Sequence, residues 1–202
     1  MKKYHSYFSF ILTSLGLAGM AFFTSAFPLE PRYAWISSIS VILFALPCYY
    51  GLTQTLGKKR AFLLIGLMSL FALALENIAI LTGFPYGNFA YGSLIGQQIG
   101  QVPWTVGFAW TPILFGAISL TQKYRGPSPL FVRIGCAAIL MTALDFVLDP
   151  GSVSLGFWIW DNPVGFYSVP WSNFGGWLLS SALGVFVVQV FLKNQKIENV
   201  QF

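Results

Sequence analysis

Long apolar segments without charged residues alternate with short polar or basic segments along the 202-residue chain. A helix needs about 20 predominantly apolar residues to cross the hydrocarbon core of a bilayer. Six segments have this length, so the pattern predicts an all-α, polytopic membrane protein. We expect one domain over residues 1–202, a bundle of six transmembrane helices. The predicted spans are residues 7–27, 33–56, 61–83, 104–122, 130–149 and 174–192.

Local signals set the ends of these spans. Lys58-Lys59-Arg60 follows the second span directly. Pro150 predicts that the fifth span ends at Asp149, because the residue before a proline is disfavoured in a helix. Lys2 and Lys3 precede the first span, and a signal peptide is the competing interpretation. The apolar run is long for a signal core, so a retained helix is favoured.

Two long segments between spans are rich in glycine, aromatic residues and asparagine. Residues 84–103 carry no charge, and their composition predicts a lid or a partly re-entrant loop. Such a loop is tolerated at membrane depth only where it lines a cavity. The second aromatic loop runs from Pro150 to Asn173. Val-Pro-Trp occurs near the end of each, at residues 102–104 and 169–171. This recurrence suggests a parallel internal repeat with a site between its halves.

The charges are divided between the two sides of the predicted bundle. The first side carries ten of the eleven basic residues: Lys2, Lys3, Lys58, Lys59, Arg60, Lys123, Arg125, Arg133, Lys193 and Lys196. Arg32 is alone on the other side. The positive-inside rule therefore predicts a plasma-membrane protein with both termini cytoplasmic and both aromatic loops outside. This rule accounts for the net charge of +5 without an acidic partner or a nucleic acid.

The amino-acid composition supports a membrane protein and excludes several kinds of metal site. The chain is 56% hydrophobic and 8% charged, whereas soluble domains carry about 25% charged residues. Cys48 and Cys136 lie in different apolar segments, without metal-binding spacing, and are interpreted as small core residues. His5 is the only histidine, which excludes histidine-ligated haem and histidine-rich metal sites. No metal and no cofactor are expected.

Intramembrane acids are the strongest functional signal. An ionised Asp at a helix centre costs about 3 kcal/mol on insertion scales. Thr142, Asp145 and Asp149 share one helix face at spacings of three and four. Glu76 shares its face with small residues, which predicts that it faces protein. A single buried carboxyl can be purely structural, but several acids gathered in the outer half favour a function.

The second half of the chain resembles the integral-membrane carotenoid biosynthesis proteins that include carotenoid 1,2-hydratases. The matching blocks are E-N-x-x-x-x-T-G-F-P-Y-G-N-F-x-Y from Glu76, V-P from Val102, A-W from Ala109, A-L-D-x-V-L-D-P from Ala143, G-F-W-x-W from Gly156, and Y-x-V-P-x-S-N-F-x-G-W from Tyr167. The first two spans show no specific resemblance. Residues 166–168 depart from the usual pattern.

The resemblance implies a hydro-lyase that adds water across the terminal double bond of an acyclic carotenoid end group. An alkene is a weak base, so a positioned carboxylic acid is required, and a carboxyl in an apolar site can be held protonated for this role. Asp145 or Asp149 is the candidate acid, and Glu76 or the other Asp the candidate base. Aromatic faces would stabilise the cation. The candidate substrate-binding residues, with Asn77 and Asn173 orienting water, are Asn77, Tyr86, Asn88, Tyr91, Trp158, Trp160, Asp161, Tyr167, Asn173 and Trp177.

Other interpretations fit the same sequence. A carotenoid cyclase or isomerase starts with the same protonation but leaves the mass of the substrate unchanged. A small transporter or lipid-binding membrane protein would use the acids as a relay, although the acids gather towards one face. A structural membrane subunit leaves the clustered acids without a role. Expected partners are the bilayer and a hydrophobic carotenoid, with other carotenoid biosynthesis enzymes as candidates. An aromatic belt at the interface accounts for part of the tryptophans.

Overall fold

The computed structural model describes residues 11, 13–16, 18–19, 22, 26–27, 30–125 and 128–192. Its long helices are α1 (Ala34–Leu56), α2 (Lys58–Thr82), α3 (Val106–Arg125), α4 (Leu130–Ser154) and α5 (Trp171–Phe191). The mostly helical fold confirms the predicted class. The first predicted span, residues 7–27, lies largely outside the described residues, as do both chain ends.

Four of the described helices are long and apolar enough to cross a membrane. They are α1 with the 3-10 turn Pro31–Tyr33 that precedes it, α2, α4 and α5. The fourth predicted span, now α3, is not among the four. It contacts all four other long helices. Because much of its surface faces protein, its sequence does not need the hydropathy that lipid contact demands.

The prediction that the helix of the fifth span ends at Asp149 is wrong. Helix α4 continues through Pro150 to Ser154. Two serine hydroxyls donate hydrogen bonds to helix carbonyls in this last turn, Ser152 to Leu148 at 2.9 Å and Ser154 to Gly151 at 2.7 Å. These bonds stabilise the turn, although Pro150 itself cannot donate one. Helix α5, which contains most of the last predicted span, begins before residue 174: Pro170 is its N-cap, and Trp171 to Asn173 form its first turn.

Glycine sets the two reversals around α2. Gly57 has φ of 74° and is the only residue between α1 and α2. Gly83 has φ of 72° and its N–H donates to Ala79 O at 2.7 Å, which ends α2 in a left-handed cap. Such a conformation is costly for residues with a Cβ atom. The chain therefore leaves α2 abruptly and turns into the first aromatic loop.

Small residues bring α2 and α3 close together, as the sequence predicted for this face of α2. Ser69 donates its hydroxyl proton to Gly107 O at 3.1 Å. A Cβ atom on Gly107 would lie 2.9 Å from Ser69 Cβ, so only glycine permits this approach. Ala72 and Ala79 on the same face are fully buried. Close backbone approach through small residues is a common packing mode of membrane helices.

The two aromatic loops contain short strands that the sequence analysis did not predict. They are β1 (Phe89–Tyr91), β2 (Gln98–Ile99), β3 (Val102–Pro103), β4 (Trp158–Trp160), β5 (Gly165–Phe166) and β6 (Val169–Pro170). β2 pairs with β3 and β5 pairs with β6, each in a local hairpin. β1 pairs antiparallel with β4, with Ala90 opposite Ile159. The first loop is therefore joined to the second by backbone hydrogen bonds.

The element order repeats along the chain. The first unit is α2, β1, the β2–β3 hairpin and α3, and the second is α4, β4, the β5–β6 hairpin and α5. In both units Val-Pro forms the last strand before a helix. The first unit alone adds a 3-10 turn, Ser93–Ile95, whose Leu94 carbonyl accepts a hydrogen bond from Ser37 of α1 at 2.9 Å. The described structure thus agrees with the internal repeat that the sequence suggested.

Candidate functional site

Helix α2 contributes the first buried acid. Glu76 is 5% exposed and lies 15 residues before Tyr91, whose hydroxyl donates a hydrogen bond to Glu76 Oε2 at 3.2 Å. The Trp110 side chain of α3 also lies within hydrogen-bonding range of this carboxyl. Burial, followed by the nearby Glu76 charge, raises the pKa of Tyr91 well above its usual range. Tyr91 therefore keeps its proton and acts as a donor to Glu76.

Helices α4 and α5 contribute the other two acids and their common partner. Asn173 Nδ2 donates to Asp145 Oδ2 at 3.0 Å and also to Asp149 Oδ2. All three side chains are at most 3% exposed. Asp145 and Asp149 are also within hydrogen-bonding range of each other. Thr142, expected in the same polar stripe, instead donates its hydroxyl to Ala138 O of its own helix at 3.0 Å.

A cavity of about 40 Å³ connects the two groups of acids. Its lining residues come from both aromatic loops and from three helices: Glu76, Tyr86, Phe89, Tyr91, Asp149, Trp158, Trp160, Asn173 and Trp177. A cavity needs roughly 10–15 Å³ of this kind of volume to hold one water molecule. The space is therefore sufficient for water, and an isoprenoid end group would enter only with a rearrangement of the lining side chains.

Aromatic rings form most of the cavity wall. Phe89 and Trp160 face each other across the β1–β4 pair with ring centroids 5.0 Å apart. Tyr91 and Trp158 meet edge to face at 6.1 Å. Trp177 lies stacked on Trp110, with centroids 5.1 Å apart and planes 10° apart. Such packing presents π faces, on which positive charge is stabilised electrostatically.

Two polar atoms in this wall have no hydrogen-bond partner among the described residues. They are the Tyr86 hydroxyl oxygen and the Trp160 indole nitrogen, and both atoms are buried. Asp145 Oδ1, next to the cavity, is a third. Buried polar groups are nearly always paired with protein or with ordered water. The unpaired atoms therefore mark the cavity as a place for a polar ligand.

Four of the candidate substrate-binding residues lie outside the cavity. Asn77 turns away and donates its amide to Leu73 O at 2.8 Å. The Asn88 side chain packs over Gly83. Asp161 is exposed, its backbone N–H bonded to Asn88 O at 3.1 Å. Tyr167 is 75% exposed at the tip of the β5–β6 hairpin, with φ of 49°.

Phe89 and Trp110 belong to the site, but the sequence analysis did not select them as site residues. Phe89-Ala90-Tyr91 alternates aromatic and small residues, and Trp158-Ile159-Trp160 has aromatic residues at the same period of two. That period is the signal of a strand with one buried face. It is short, and it was hidden among other aromatic residues. Trp110 belongs to the A-W block that carries the family resemblance. Its place at the site comes from packing against Trp177 and proximity to Glu76, which that block does not predict.

The described residues include no group of three His, Cys, Asp or Glu side chains that could hold a metal ion. The three acids are instead paired with Tyr91 and Asn173. Their surroundings are apolar and aromatic, and a single cavity lies between them. This arrangement is suited to moving protons to and from an apolar molecule.

The chain is similar to a known protein family and to a curated protein. Residues 33–201 match the family model described as "Carotenoid biosynthesis protein". Over 143 residues the chain is 34% identical to bisanhydrobacterioruberin hydratase of Haloarcula japonica. This alignment covers 69% of the chain and 48% of the relative, so the chain spans about half the length of that curated protein. No solved structure matches.

Proposed function

Since this chain belongs to the carotenoid biosynthesis protein family, we propose that it hydrates the terminal double bond of an acyclic carotenoid end group. The product is a tertiary alcohol, and the reaction is redox-neutral. One observation carries the proposal: Glu76 of α2 and Asp149 of α4 line the same small aromatic cavity. Two carboxyl groups that line one cavity are what successive protonation and deprotonation require.

Asp149 is the proposed proton donor. It lines the cavity, whereas Asp145 lies beside it and shares the Asn173 amide. Two neighbouring carboxyl groups that share one amide in apolar surroundings favour holding one proton between them. Transfer of the Asp149 proton to the less substituted alkene carbon forms the C–H bond. The π electrons form that bond and leave a tertiary cation.

Glu76 is the proposed base. Its carboxyl accepts a hydrogen bond from Tyr91, an acceptor role that suits a group that will take a proton. Water attacks the tertiary cation through an oxygen lone pair, and Glu76 takes the proton that this oxygen loses. The proton then returns from Glu76 to Asp149 through the cavity, which restores both acids. The faces of Trp158, Trp160 and Trp177 stabilise the cation meanwhile.

The proposed placement in the membrane follows from charge and helix length. We propose six spans in the plasma membrane, both termini in the cytoplasm and the β1–β4 pair on the outer side. In this orientation the cavity lies near the outer ends of α2 and α4. A carotenoid dissolved in the bilayer would enter from the membrane and not from water. Other carotenoid biosynthesis enzymes that supply the acyclic substrate are the proposed partners.

The first test is mass analysis of pigments from cells that make an acyclic carotenoid and express the full chain. We expect a product heavier by one water per reacting end. Asp149→Asn and Glu76→Gln should each lower its formation at least about 100-fold, the usual scale of general acid–base catalysis. Glu30→Gln is the matched control, because Glu30 is exposed and paired with Arg32 at 2.9 Å.

Each other outcome contradicts the proposal. A product of unchanged mass with a shifted absorption spectrum would assign cyclisation or isomerisation. Pigments that stay unchanged with several acyclic substrates, while the folded protein is present in the membrane, would favour transport or lipid binding. Full hydration by Asp149→Asn would remove Asp149 from the role of acid.

A further inference from the structure

We propose that the Tyr86 hydroxyl and the Trp160 indole N–H bind the water molecule that attacks the substrate. This inference rests on the proposed hydration and adds two water-positioning residues to it. Both side chains belong to the aromatic loops, not to the helices that carry the acids. The loops therefore hold the nucleophile, and the helices move the protons.

This water site is supported by the burial of Tyr86 and Trp160 and by the unpaired polar atoms of both side chains among the described residues. Tyr86 is 2% exposed and Trp160 is 5% exposed, and both line the cavity. Neither the Tyr86 hydroxyl oxygen nor the Trp160 indole nitrogen has a hydrogen-bond partner among the described residues. The Ser180 hydroxyl lies near Tyr86 but donates to Gly176 O at 2.8 Å. A cavity of about 40 Å³ with unpaired buried polar groups in its wall is a typical site for buried water.

The donor and acceptor inventory fits a reacting water. The Trp160 N–H can only donate, so it binds one lone pair of the water oxygen and leaves the other for the cation. Burial raises the pKa of Tyr86 well above its usual range, so its hydroxyl stays neutral and its oxygen can accept a hydrogen bond from one O–H of the water. The second water proton is then available to Glu76, which lines the same cavity. Water held in this way is oriented before the cation forms.

The internal repeat makes Trp160 equivalent to Tyr91, whose hydroxyl donates a hydrogen bond to Glu76. Trp160 is the third residue of β4, and Tyr91 is the third residue of β1. The two strands pair antiparallel about Ala90 and Ile159, the arrangement that a local two-fold axis between the repeats requires.

A second pair of equivalent residues supports this axis. Trp110 and Trp177 each lie six residues after the Trp of a Val-Pro-Trp, and they stack on each other with centroids 5.1 Å apart. Because Tyr91 and Trp160 are equivalent in the repeat, the partners of the Tyr91 hydroxyl and the Trp160 indole N–H can be compared directly. Tyr91 donates to Glu76, whereas the indole N–H of its counterpart Trp160, a residue of the cavity wall, has no partner among the described residues. One repeat therefore uses this position for a carboxyl group and the other for a ligand.

Hydration in D₂O separates water capture from protonation. When the acid delivers a deuteron and water is misplaced, the cation loses a proton from the same carbon and returns to alkene. The recovered substrate then carries deuterium at its vinylic carbon. For Trp160→Phe and Tyr86→Phe, we expect the ratio of this exchange to alcohol formation to rise by about tenfold each, the usual scale of one lost hydrogen bond. Mass spectrometry of substrate and product measures both.

Folding and controls make the test decisive. Tyr86→Phe keeps the ring and removes only a hydroxyl that has no hydrogen-bond partner among the described residues, so the melting temperature in detergent should not fall. Trp160→Phe replaces a buried indole by a smaller phenyl ring, so its melting temperature should fall and its product ratio is measured on the folded protein. Trp104→Phe, which removes an indole N–H in the β2–β3 hairpin region outside the cavity, should leave the ratio unchanged. An unchanged ratio in both cavity variants, with normal hydration, would overturn the water site. A wild-type protein that gives neither alcohol nor exchange would contradict the proposed hydration itself.

Discussion

Asn173 shows how one amide can organise buried acids that come from another helix. It lies in the first turn of α5 and donates to both Asp145 and Asp149 of α4. The sequence predicted that the two aspartates share a face and that Asn173 belongs to the site. It did not predict the bond between them, because residues 28 and 24 positions apart meet only when α4 and α5 pack. The rotation of each helix about its axis is a tertiary property.

Replacing this amide should destabilise the protein as well as inactivate it. Asn173→Leu keeps a similar volume but leaves two buried carboxyl groups without their shared donor. We expect a loss of about 2 kcal/mol in the free energy of unfolding, the scale of an unsatisfied buried polar group. Thermal unfolding in detergent measures it. Asn162→Leu, in an exposed turn, is the control and should change little. Equal stability of the two variants would show that Asn173 does not hold the acids.

Among the elements, α5 is positioned by close contact with the first aromatic loop. Gly176 packs directly against Tyr86 and Pro85. Ser172 of the same helix donates to Tyr86 O at 2.8 Å. These contacts hold Tyr86 in the cavity wall. Gly176, Ser180 and Gly184 form a stripe of small residues at a spacing of four along α5. Gly176 has the first aromatic loop as its neighbour, and Gly184 has side chains of α2 and α3.

Two adjacent glycines of α5 should respond oppositely to alanine. A Cβ atom on Gly176 would lie 2.7 Å from Pro85 O, whereas a Cβ atom on Gly175 has nothing within 4 Å. Gly175→Ala should raise stability by up to about 1 kcal/mol through helix propensity. Gly176→Ala should lower stability and hydration, because it pushes Tyr86 away. Melting temperature and alcohol yield check both. Stabilisation by Gly176→Ala would show that the loop contact does not hold the site.

The two hairpins differ in the turn signal that their sequences carry, and the pairing of the two loops carries none. Gly100 has φ of 66° in the two-residue turn of β2–β3, where a Gly-X sequence is a known hairpin signal. The second hairpin turns at Tyr167 and Ser168, both with positive φ and neither a glycine. Their sequence carries no such signal. The β1–β4 pair joins residues about 70 positions apart, and a pairing of two or three residues has too short a pattern to predict from one chain.

In the whole molecule, the buried acids and a cluster of basic residues lie at opposite ends of the helices. The acids and the paired aromatic loops lie at one end of the described helices, and Lys58, Lys59 and Arg60 lie at the other end of α2. This separation follows the amino-acid sequence directly, because charge distribution along a chain of spans sets the side on which each loop remains. The repeat reinforces it, since both units begin with an acid-bearing helix and return through a Val-Pro hairpin.

Cysteine labelling tests the proposed orientation. Asn162→Cys and Lys59→Cys, each in a chain with Cys48→Ala and Cys136→Ala, place a single thiol at exposed positions of opposite ends. A membrane-impermeant maleimide should label position 162 in intact cells and position 59 only after permeabilisation. Labelling in the reverse order would contradict cytoplasmic termini. Retained pigment hydration shows that each variant is folded.

The sequence by itself determined the mostly helical class, four long apolar helices and the acids on which the proposed chemistry depends. It could do so because hydropathy over about 20 residues and charge within lipid are local, large energetic terms. Only the tertiary structure decided that Glu76 and Asp149 line one cavity, that Asn77 faces elsewhere, and that β1 pairs with β4. These relations depend on helix rotation and on contacts between residues distant in the chain, which no local pattern encodes.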